Sequence, residues 1–236
     1  MSLLIVGSVA FDQVETPFGK TGKILGGAGT YFCLAAGLFT KHLNLVSVVG
    51  DDFPQAYEEL LRNRHVDLCG LKRVKGQKTF FWAGKYHQDM NMRDTLATDL
   101  NVLAGFDPVL PLSYRRSPYV MLGNLTPSVQ MRVIEQMEVR PELICMDTMN
   151  FWMNTAWDDL LAVIKKVDVL AINDQEAKQL SGKGTLPEAA RTILSMGPRI
   201  LIVKKGEHGS MLFTAERTFV IPALLLEQVK DPTGAG

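Results

Sequence analysis

Few of the 236 residues are of the kinds that staple small proteins or ligate metals. Only three are cysteines, Cys33, Cys69 and Cys145, and they stand far apart with no CxxC pair. This spacing argues against a disulfide framework and a zinc site, and it predicts reduced thiols in a cytoplasmic protein. The four histidines likewise show no metal-ligand spacing. A chain of this length buries enough surface to fold without such staples.

The sequence also lacks an excess of charge and a long apolar run. Lys plus Arg and Asp plus Glu each number 25, so the formal net charge is +0, whereas proteins that bind nucleic acids usually carry a basic excess. The longest nearly apolar run, at 31–39, is far shorter than the roughly 20 residues that a membrane-spanning helix needs. We therefore expect neither a nucleic acid partner nor a membrane partner.

Two glycine motifs of nucleotide-binding proteins are absent as well. The dinucleotide fingerprint GxGxxG requires a third glycine after Gly27 and Gly29, and Phe32 stands there. The run at 19–21 resembles the end of a P-loop, but Val14 stands where the first glycine of that loop is required. We exclude a Walker-type NTPase, and a Rossmann-type dehydrogenase is disfavoured.

Short apolar segments alternate with amphipathic helical segments along most of the chain. We expect strands at 3–7, 43–49, 119–122, 143–146, 169–172 and 200–203, and a closing hairpin at 210–214 and 218–221. We expect helices at 29–38, 53–61, 127–137, 157–164, 174–180 and 187–196. Repeated strand–helix–strand units predict a mostly parallel sheet with helices on both faces.

Two stretches depart from this alternation. Residues 13–24 and 68–96 show no helical period, and the second contains an aromatic, strand-like run at 79–83. We expect both stretches to form a few strands apart from the main sheet. No internal repeat or low-complexity tract divides the chain, so we expect a single domain over 1–236.

In sheets of this class ligands bind beyond the carboxyl ends of the strands. Asp12 follows the first strand, where it can accept a hydrogen bond from a ligand hydroxyl group or serve as a solvated turn residue. The run Gly26-Gly27-Ala28-Gly29 then opens a helix. Glycines let a ligand approach the backbone, and a helix N-terminus favours anions. The alternative is a tight turn that packs the helix on the strand.

Asn173 and Glu176 lie at the start of the helix expected at 174–180. One interpretation is a capping box, in which each side chain bonds the backbone N–H of the other residue. The other is a magnesium site, in which an amide and a carboxylate one turn apart orient magnesium-bound waters around phosphates. The spacing favours neither interpretation, and the two are compatible.

Three further strands are followed by polar side chains. Lys204, Gly206 and Gly209 form a turn that either meets phosphate or merely reverses the chain. Asp147 and Asn124 follow two other strands and are candidate ligand contacts. The last six residues, at 231–236, read DPTGAG. Small residues in series can point successive N–H groups at one spot, which makes an anion-binding nest.

Taken in this order, these segments resemble the ribokinase-like, or PfkB-type, carbohydrate kinase family. The residues at 231–236 are similar to the family's C-terminal signature up to its last glycine. The runs at 26–29 and 173–176 are similar to its N-terminal signature and its Asn-x-x-Glu motif. The resemblance spans essentially the whole chain. It implies a doubly wound α/β fold with a small β-sheet lid, which agrees with the two stretches set apart above.

The resemblance implies an enzyme that transfers the γ-phosphoryl group of ATP to a hydroxyl group of a sugar or nucleoside, with Mg²⁺ as cofactor. Asp12, Gly26 and Gly27 would bind the acceptor's hydroxyl groups, and Asn124 would line the same pocket. The residues that the resemblance places along ATP and Mg²⁺ are Asn173, Glu176, Lys204, Gly206 and Gly209, with Glu176 acting on Mg²⁺ through water.

At the C-terminal signature, Gly234, Ala235 and Gly236 would form the anion hole for the transferring phosphoryl group. Asp231 and Thr233 would border the site of a monovalent cation such as K⁺, which many members use. Backbone N–H groups would stabilise the charge that develops, while a base takes the proton of the acceptor hydroxyl group.

In this family the base is an aspartate directly after the Gly-Ala-Gly run, and the sequence ends at Gly236. Loss of an acid–base group costs about 10²–10⁴-fold in rate. We therefore expect a polypeptide limited to residues 1–236 to be an incomplete, nearly inactive domain. A non-catalytic ligand-binding or regulatory protein that keeps the kinase fold is the alternative.

Tyr31 is a second departure from the family pattern. It stands where many members carry an asparagine that contacts the sugar, which argues against ribose or fructose as the acceptor. An aromatic ring there can stack on a ligand ring or pack within the protein. The lid strands would also offer an edge through which two copies could pair as a homodimer.

Overall fold

The computed structural model describes residues 2–234, which form two β-sheets and seven α-helices. In chain order the strands are β1 (Leu3–Val6), β2 (Ala10–Thr16), β3 (Gly19–Lys20), β4 (Ile24–Gly26), β5 (Leu43–Gly50), β6 (Val66–Val74), β7 (Phe80–Tyr86), β8 (Arg93–Asp99), β9 (Tyr119–Leu122), β10 (Leu143–Asp147), β11 (Val169–Asn173), β12 (Ile200–Lys204), β13 (Ser210–Phe213) and β14 (Thr218–Ile221). The α-helices are α1 (Ala28–Ala36), α2 (Gln55–Asn63), α3 (Pro127–Glu135), α4 (Asn150–Thr155), α5 (Trp157–Ile164), α6 (Asp174–Ser181) and α7 (Leu186–Leu194).

The larger sheet has nine strands in the order β14-β13-β12-β11-β10-β9-β1-β5-β6. Neighbouring strands from β6 to β12 in this order pair in parallel, whereas β12, β13 and β14 pair antiparallel. Parallel neighbours require crossover connections, which helices provide here. The carboxyl ends of the seven parallel strands therefore meet at one edge of the sheet.

Apolar clusters cover both faces of this sheet. Leu4 and Val6 of β1 belong to one cluster, which includes Leu160 of α5. Ile5 belongs to a second cluster, which includes Cys33 of α1. Because successive residues of a strand point to opposite faces, the two clusters lie on opposite sides of the sheet. The predicted mostly parallel sheet with helices on both faces is confirmed.

The smaller sheet, which we call the lid sheet, has the order β3-β2-β7-β8, with β4 paired to β2. Its strands lie within 10–26 and 80–99, whereas the sequence indicated 13–24 and 68–96. The second expected range begins too early, because its first residues form β6 and pair with β5 in the larger sheet. Leu68 of β6 is buried in the core there, which holds this segment in the main sheet.

Other elements follow the sequence pattern closely. The capping box, one of the two interpretations of Asn173 and Glu176, is present at the start of α6, and Gly182 ends that helix in the left-handed conformation with a φ of 67°. The six-residue helix α4 was not predicted, because it is too short to show a helical period. Within residues 2–234, no helix combines the length and the apolar character needed to cross a membrane.

Candidate active site

Asp12 is a buried carboxylate in the lid sheet. It lies on β2, paired with Ile24 of β4 and Trp82 of β7, and it is 5% exposed. The Tyr31 hydroxyl donates a hydrogen bond to its Oδ2 at 3.3 Å. Burial raises the pKa of Asp12, while hydrogen bonds from Tyr31 and from the Gly27 N–H lower it. Asp12 is therefore a buried hydrogen-bond acceptor and not a solvated turn residue.

Two glycines, Gly26 and Gly27, allow the chain between β4 and α1 to pack closely against Asp12 and Ser8. A Cβ atom at Gly26 would overlap the Asp12 carboxylate. Gly27 has a φ of 91°, and a Cβ atom there would lie 2.5 Å from the Ser8 carbonyl oxygen. Packing of the helix on the strand is also present, because the Gly29 N–H donates to the Ser8 carbonyl at 2.8 Å. The structure therefore contains the tight turn that packs the helix on the strand.

The C-terminal segment lies over the same place. Gly234 has a φ of 80°, and a Cβ atom there would lie 2.5 Å from Cδ1 of the Tyr31 ring. The negative charge of Asp231 contributes to raising the pKa of both Asp12 and Tyr31. These contacts bring the segment that the sequence predicted to bind the phosphoryl group close to the Asp12 carboxylate. The other two residues of the expected anion hole, Ala235 and Gly236, lie outside the described residues.

The lid sheet holds this C-terminal segment through Tyr86. The Thr233 hydroxyl donates to the Tyr86 hydroxyl at 3.3 Å, and the Thr233 N–H donates to Oδ1 of Asp231 at 2.9 Å. Tyr86 is buried at the end of β7. No local sequence pattern singles out Tyr86, because its role depends on a contact with a residue 147 positions away.

A second group of polar residues lies at the carboxyl ends of β10, β11 and β12. The Glu176 N–H donates to Oδ1 of Asn173, and the Asn173 N–H donates to Oε2 of Glu176, both at 2.8 Å. Lys204 is paired with Asn173 across β11 and β12. Its Nζ lies 3.4 Å from Oδ1 of Asp147. The structure thus joins four of the residues that the sequence singled out.

The side chains of Asp147 and Glu176 are partly shielded from water. Burial raises the pKa of both Asp147 and Glu176, and each pKa is lowered in turn by the positive charge of Lys204. The Asp147 charge is close enough to raise the pKa of Glu176 further. Two such carboxylates fit Mg²⁺, which keeps several waters and takes few protein ligands directly. Within residues 2–234 no group of three or more His, Cys, Asp or Glu side chains is placed to hold a metal ion.

The turn after β12 contains two glycines in left-handed conformations, Gly206 with a φ of 56° and Gly209 with a φ of 82°. A Cβ atom at Gly209 would lie 2.7 Å from the Ala223 backbone nitrogen. A Cβ atom at Gly206 would lie 2.9 Å from Oδ1 of Asn91, at the tip of the lid sheet. The turn thus reverses the chain tightly while it contacts the lid.

Asn124 is engaged by a neighbouring helix. Its side-chain oxygen accepts a hydrogen bond from Nε1 of Trp152, on α4, at 2.8 Å. Asn124 follows β9, and β9 lies between β1 and β10 in the larger sheet. It therefore stands at the carboxyl edge between the two groups described above.

The chain is similar to known proteins over its whole length. Residues 3–236 match the family described as "pfkB family carbohydrate kinase". A cytidine kinase of Thermococcus kodakarensis is 23% identical over 238 residues, which cover 100% of this chain and 84% of that protein.

Solved structures share the fold. A Burkholderia thailandensis nucleoside kinase in complex with inosine has a TM-score of 0.78 and 20% identity, covering 100% of this chain and 80% of the other. A protein described as a ribokinase II from E. coli, in complex with ATP and Mg²⁺, has a TM-score of 0.80 and 18% identity, covering 99% and 82%.

Proposed function

Because this chain belongs to the pfkB family of carbohydrate kinases, we propose that it transfers the γ-phosphoryl group of ATP to a hydroxyl group of a nucleoside. The observation that carries the proposal is the buried Asp12 carboxylate beside the Gly234 backbone, with Tyr31 touching both. An acceptor hydroxyl group bound by Asp12 would stand next to the segment expected to receive the phosphoryl group. The cytidine kinase that is 23% identical to this chain supports a nucleoside as the acceptor.

On the acceptor side, the chain supplies recognition of hydroxyl groups. The Asp12 carboxylate accepts a hydrogen bond from the acceptor, and hydrogen bonds to a charged group are the strong ones. Gly26 and Gly27 leave the backbone open where side chains would collide with Asp12 and Ser8. Asn124 donates its free side-chain N–H groups to the same ligand.

On the nucleotide side, Glu176 and Asp147 hold waters around the phosphates while Lys204 offsets their charge. Mg²⁺, when bound, would offset the charge on the phosphate oxygens. Asn173 keeps Glu176 in place through the capping box. The left-handed turn at Gly206 and Gly209 would lie along the nucleotide, where a bare backbone allows close approach.

The acceptor's proton leaves through a base, which the family resemblance assigns to an aspartate directly after Gly236. We propose that a polypeptide limited to residues 1–236 transfers phosphoryl groups poorly for this reason. The test compares that polypeptide with the product of the full gene. A matching rate for the two would overturn this part of the proposal.

The activity itself is tested with the full gene product, ATP and Mg²⁺ against a panel of nucleosides and sugars, with ADP release as the readout. We expect a nucleoside to give the highest kcat/KM, and an Asp12→Ala variant to lose about 10–100-fold of it. Preference for a free sugar would correct the acceptor. Tight nucleoside binding without ADP release would favour a non-catalytic binding protein.

Three finer points complete the proposal. Asp231 and Thr233 would border a K⁺ ion, which predicts a slower rate when Na⁺ replaces K⁺ in the assay.

The lid edge strand β8, whose Leu96 is 55% exposed, would pair two copies as a homodimer, which light scattering can detect. The thiols of the three free cysteines suit the reducing cytoplasm.

A further inference from the structure

One face of the lid sheet collects residues from three strands. Trp82, Gly84 and Tyr86 alternate along β7 and so share a face. Asp12 on β2 pairs with Trp82, and Arg93 on β8 pairs with Tyr86. Arg93 therefore lies on the same face of the lid sheet as Asp12 and as Tyr86, which contacts Thr233.

Arg93 is supported on that face by an aromatic platform. Its guanidinium carbon lies 5.5 Å from the centre of the Trp82 ring, in the range of a cation–π contact. The Trp82 ring lies down over Gly84, where any Cβ atom would overlap it. Because Gly84 has no side chain, the Trp82 ring can lie flat against the sheet, with the Arg93 guanidinium above it.

Within residues 2–234, no carboxylate neutralises the positive charge of the Arg93 guanidinium. In the described part of the chain, Arg93 forms no salt bridge, since no carboxylate oxygen approaches its nitrogens within 4.0 Å. Its positive charge nevertheless reaches Glu176 and lowers the pKa of that residue. Two residues before it, the Asn91 side chain donates to Oε1 of Glu207 at 3.3 Å, beside Gly206. The lid tip therefore stands over the nucleotide side of the cleft.

We propose that Arg93 binds phosphate oxygens of the nucleotide from the lid side, with Trp82 as its positioning residue. The proposal rests on the function proposed above. A guanidinium presents a planar fork of donors that matches phosphate oxygens, and it stacks on aromatic rings. A neutral nucleoside offers no charge to neutralise, whereas the polyphosphate beside Glu176 does. The lid would then bring a cation to the nucleotide as well as covering the acceptor.

The test measures binding and turnover in the full gene product with Arg93→Met, Arg93→Lys and Lys85→Met. Lys85 is a matched control, because it carries the same charge on the other face of β7, where it pairs with Glu15 at 2.7 Å. We expect Arg93→Met to weaken the binding of ATP and of inorganic triphosphate by about 10–100-fold, with nucleoside binding unchanged. Arg93→Lys should restore only part of the loss, since lysine lacks the planar fork.

Two results would overturn the assignment. Loss of nucleoside binding with intact triphosphate binding would place Arg93 on the acceptor, and unchanged binding of both would make it a surface residue. The binding readout separates this proposal from the function on which it rests. If the wild type phosphorylates no nucleoside, the proposed function is refuted, even when Arg93→Met weakens triphosphate binding. If the wild type is active and Arg93→Met binds triphosphate as tightly as the wild type, only the assignment of Arg93 is refuted.

Discussion

The Tyr31 hydroxyl donates a hydrogen bond to the Asp12 carboxylate, 3.3 Å away. The ring of the same tyrosine lies against the Gly234 backbone. One side chain therefore touches both the carboxylate that we propose binds the nucleoside and the segment expected to hold the phosphoryl group. Of the two roles that the sequence left open for Tyr31, stacking on a ligand or packing within the protein, the structure contains the second.

Removal of that hydroxyl should change the pH dependence of the reaction. The hydrogen bond from Tyr31 favours the charged form of Asp12 and lowers its pKa against the effect of burial. In Tyr31→Phe the pKa of Asp12 rises further, so the acid limb of kcat/KM for the nucleoside should move to higher pH. Tyr119→Phe is the control, because it removes a surface bond of the same kind, to Glu142 at 3.0 Å. Equal acid limbs in wild type and Tyr31→Phe would contradict this role.

Asp12 should also lower the stability of the protein. An acid whose pKa is raised on folding binds more protons in the folded state than in the unfolded state, so stability falls as pH rises through the interval between the two pKa values. Asp12→Asn removes that penalty. We expect the variant to melt at a higher temperature than wild type at pH 7, with the advantage shrinking as pH falls through that interval and absent below about pH 4, while nucleoside binding is lost. A lower melting temperature at pH 7 would show that the carboxylate stabilises the fold.

Gly26, the last residue of β4, should tolerate no side chain. Gly26→Ala sets a Cβ atom against the Asp12 carboxylate, and overpacking of this kind costs about 1–3 kcal/mol. Gly22→Ala is the matched control, because Gly22 lies nearby, between β3 and β4, with nothing within 4 Å of its Cβ position. Urea unfolding and kcat/KM for the nucleoside are the measurements. Equal effects of the two substitutions would mean that the turn yields freely.

The sequence predicted the larger sheet well because its signals are local. The strand at 200–203 is marked by its short apolar run, and the helix at 157–164 by the period of its apolar residues. The lid boundary was placed wrongly because β6 has no local mark that separates a ninth strand of the main sheet from a lid strand. Its place is decided by pairing with β5, which is a long-range contact.

The same reason explains which site residues the sequence did not reveal. Asp12 and Glu176 follow expected strands, so the strand pattern alone is enough to select them as candidates. Tyr86 and Arg93 have no such signal, because their positions depend on the register between β7 and β8. That register contains a bulge between Ala83 and Gly84, and a shift of one residue would turn Arg93 to the opposite face. A residue whose role depends on register can be found only from the strand pairing.

Glu176 allows its structural and chemical roles to be separated. Glutamine also closes a capping box, so Glu176→Gln should keep α6 and the melting temperature of wild type while it removes the charge. Loss of an outer ligand of this kind typically costs about 10–100-fold in metal affinity or activity, so the Mg²⁺ concentration for half-maximal rate should rise. Glu176→Ala should show that defect together with a lower melting temperature, because the Asn173 N–H loses its partner. If Glu176→Gln keeps the Mg²⁺ dependence of wild type, the carboxylate serves the helix alone and the magnesium waters are held elsewhere.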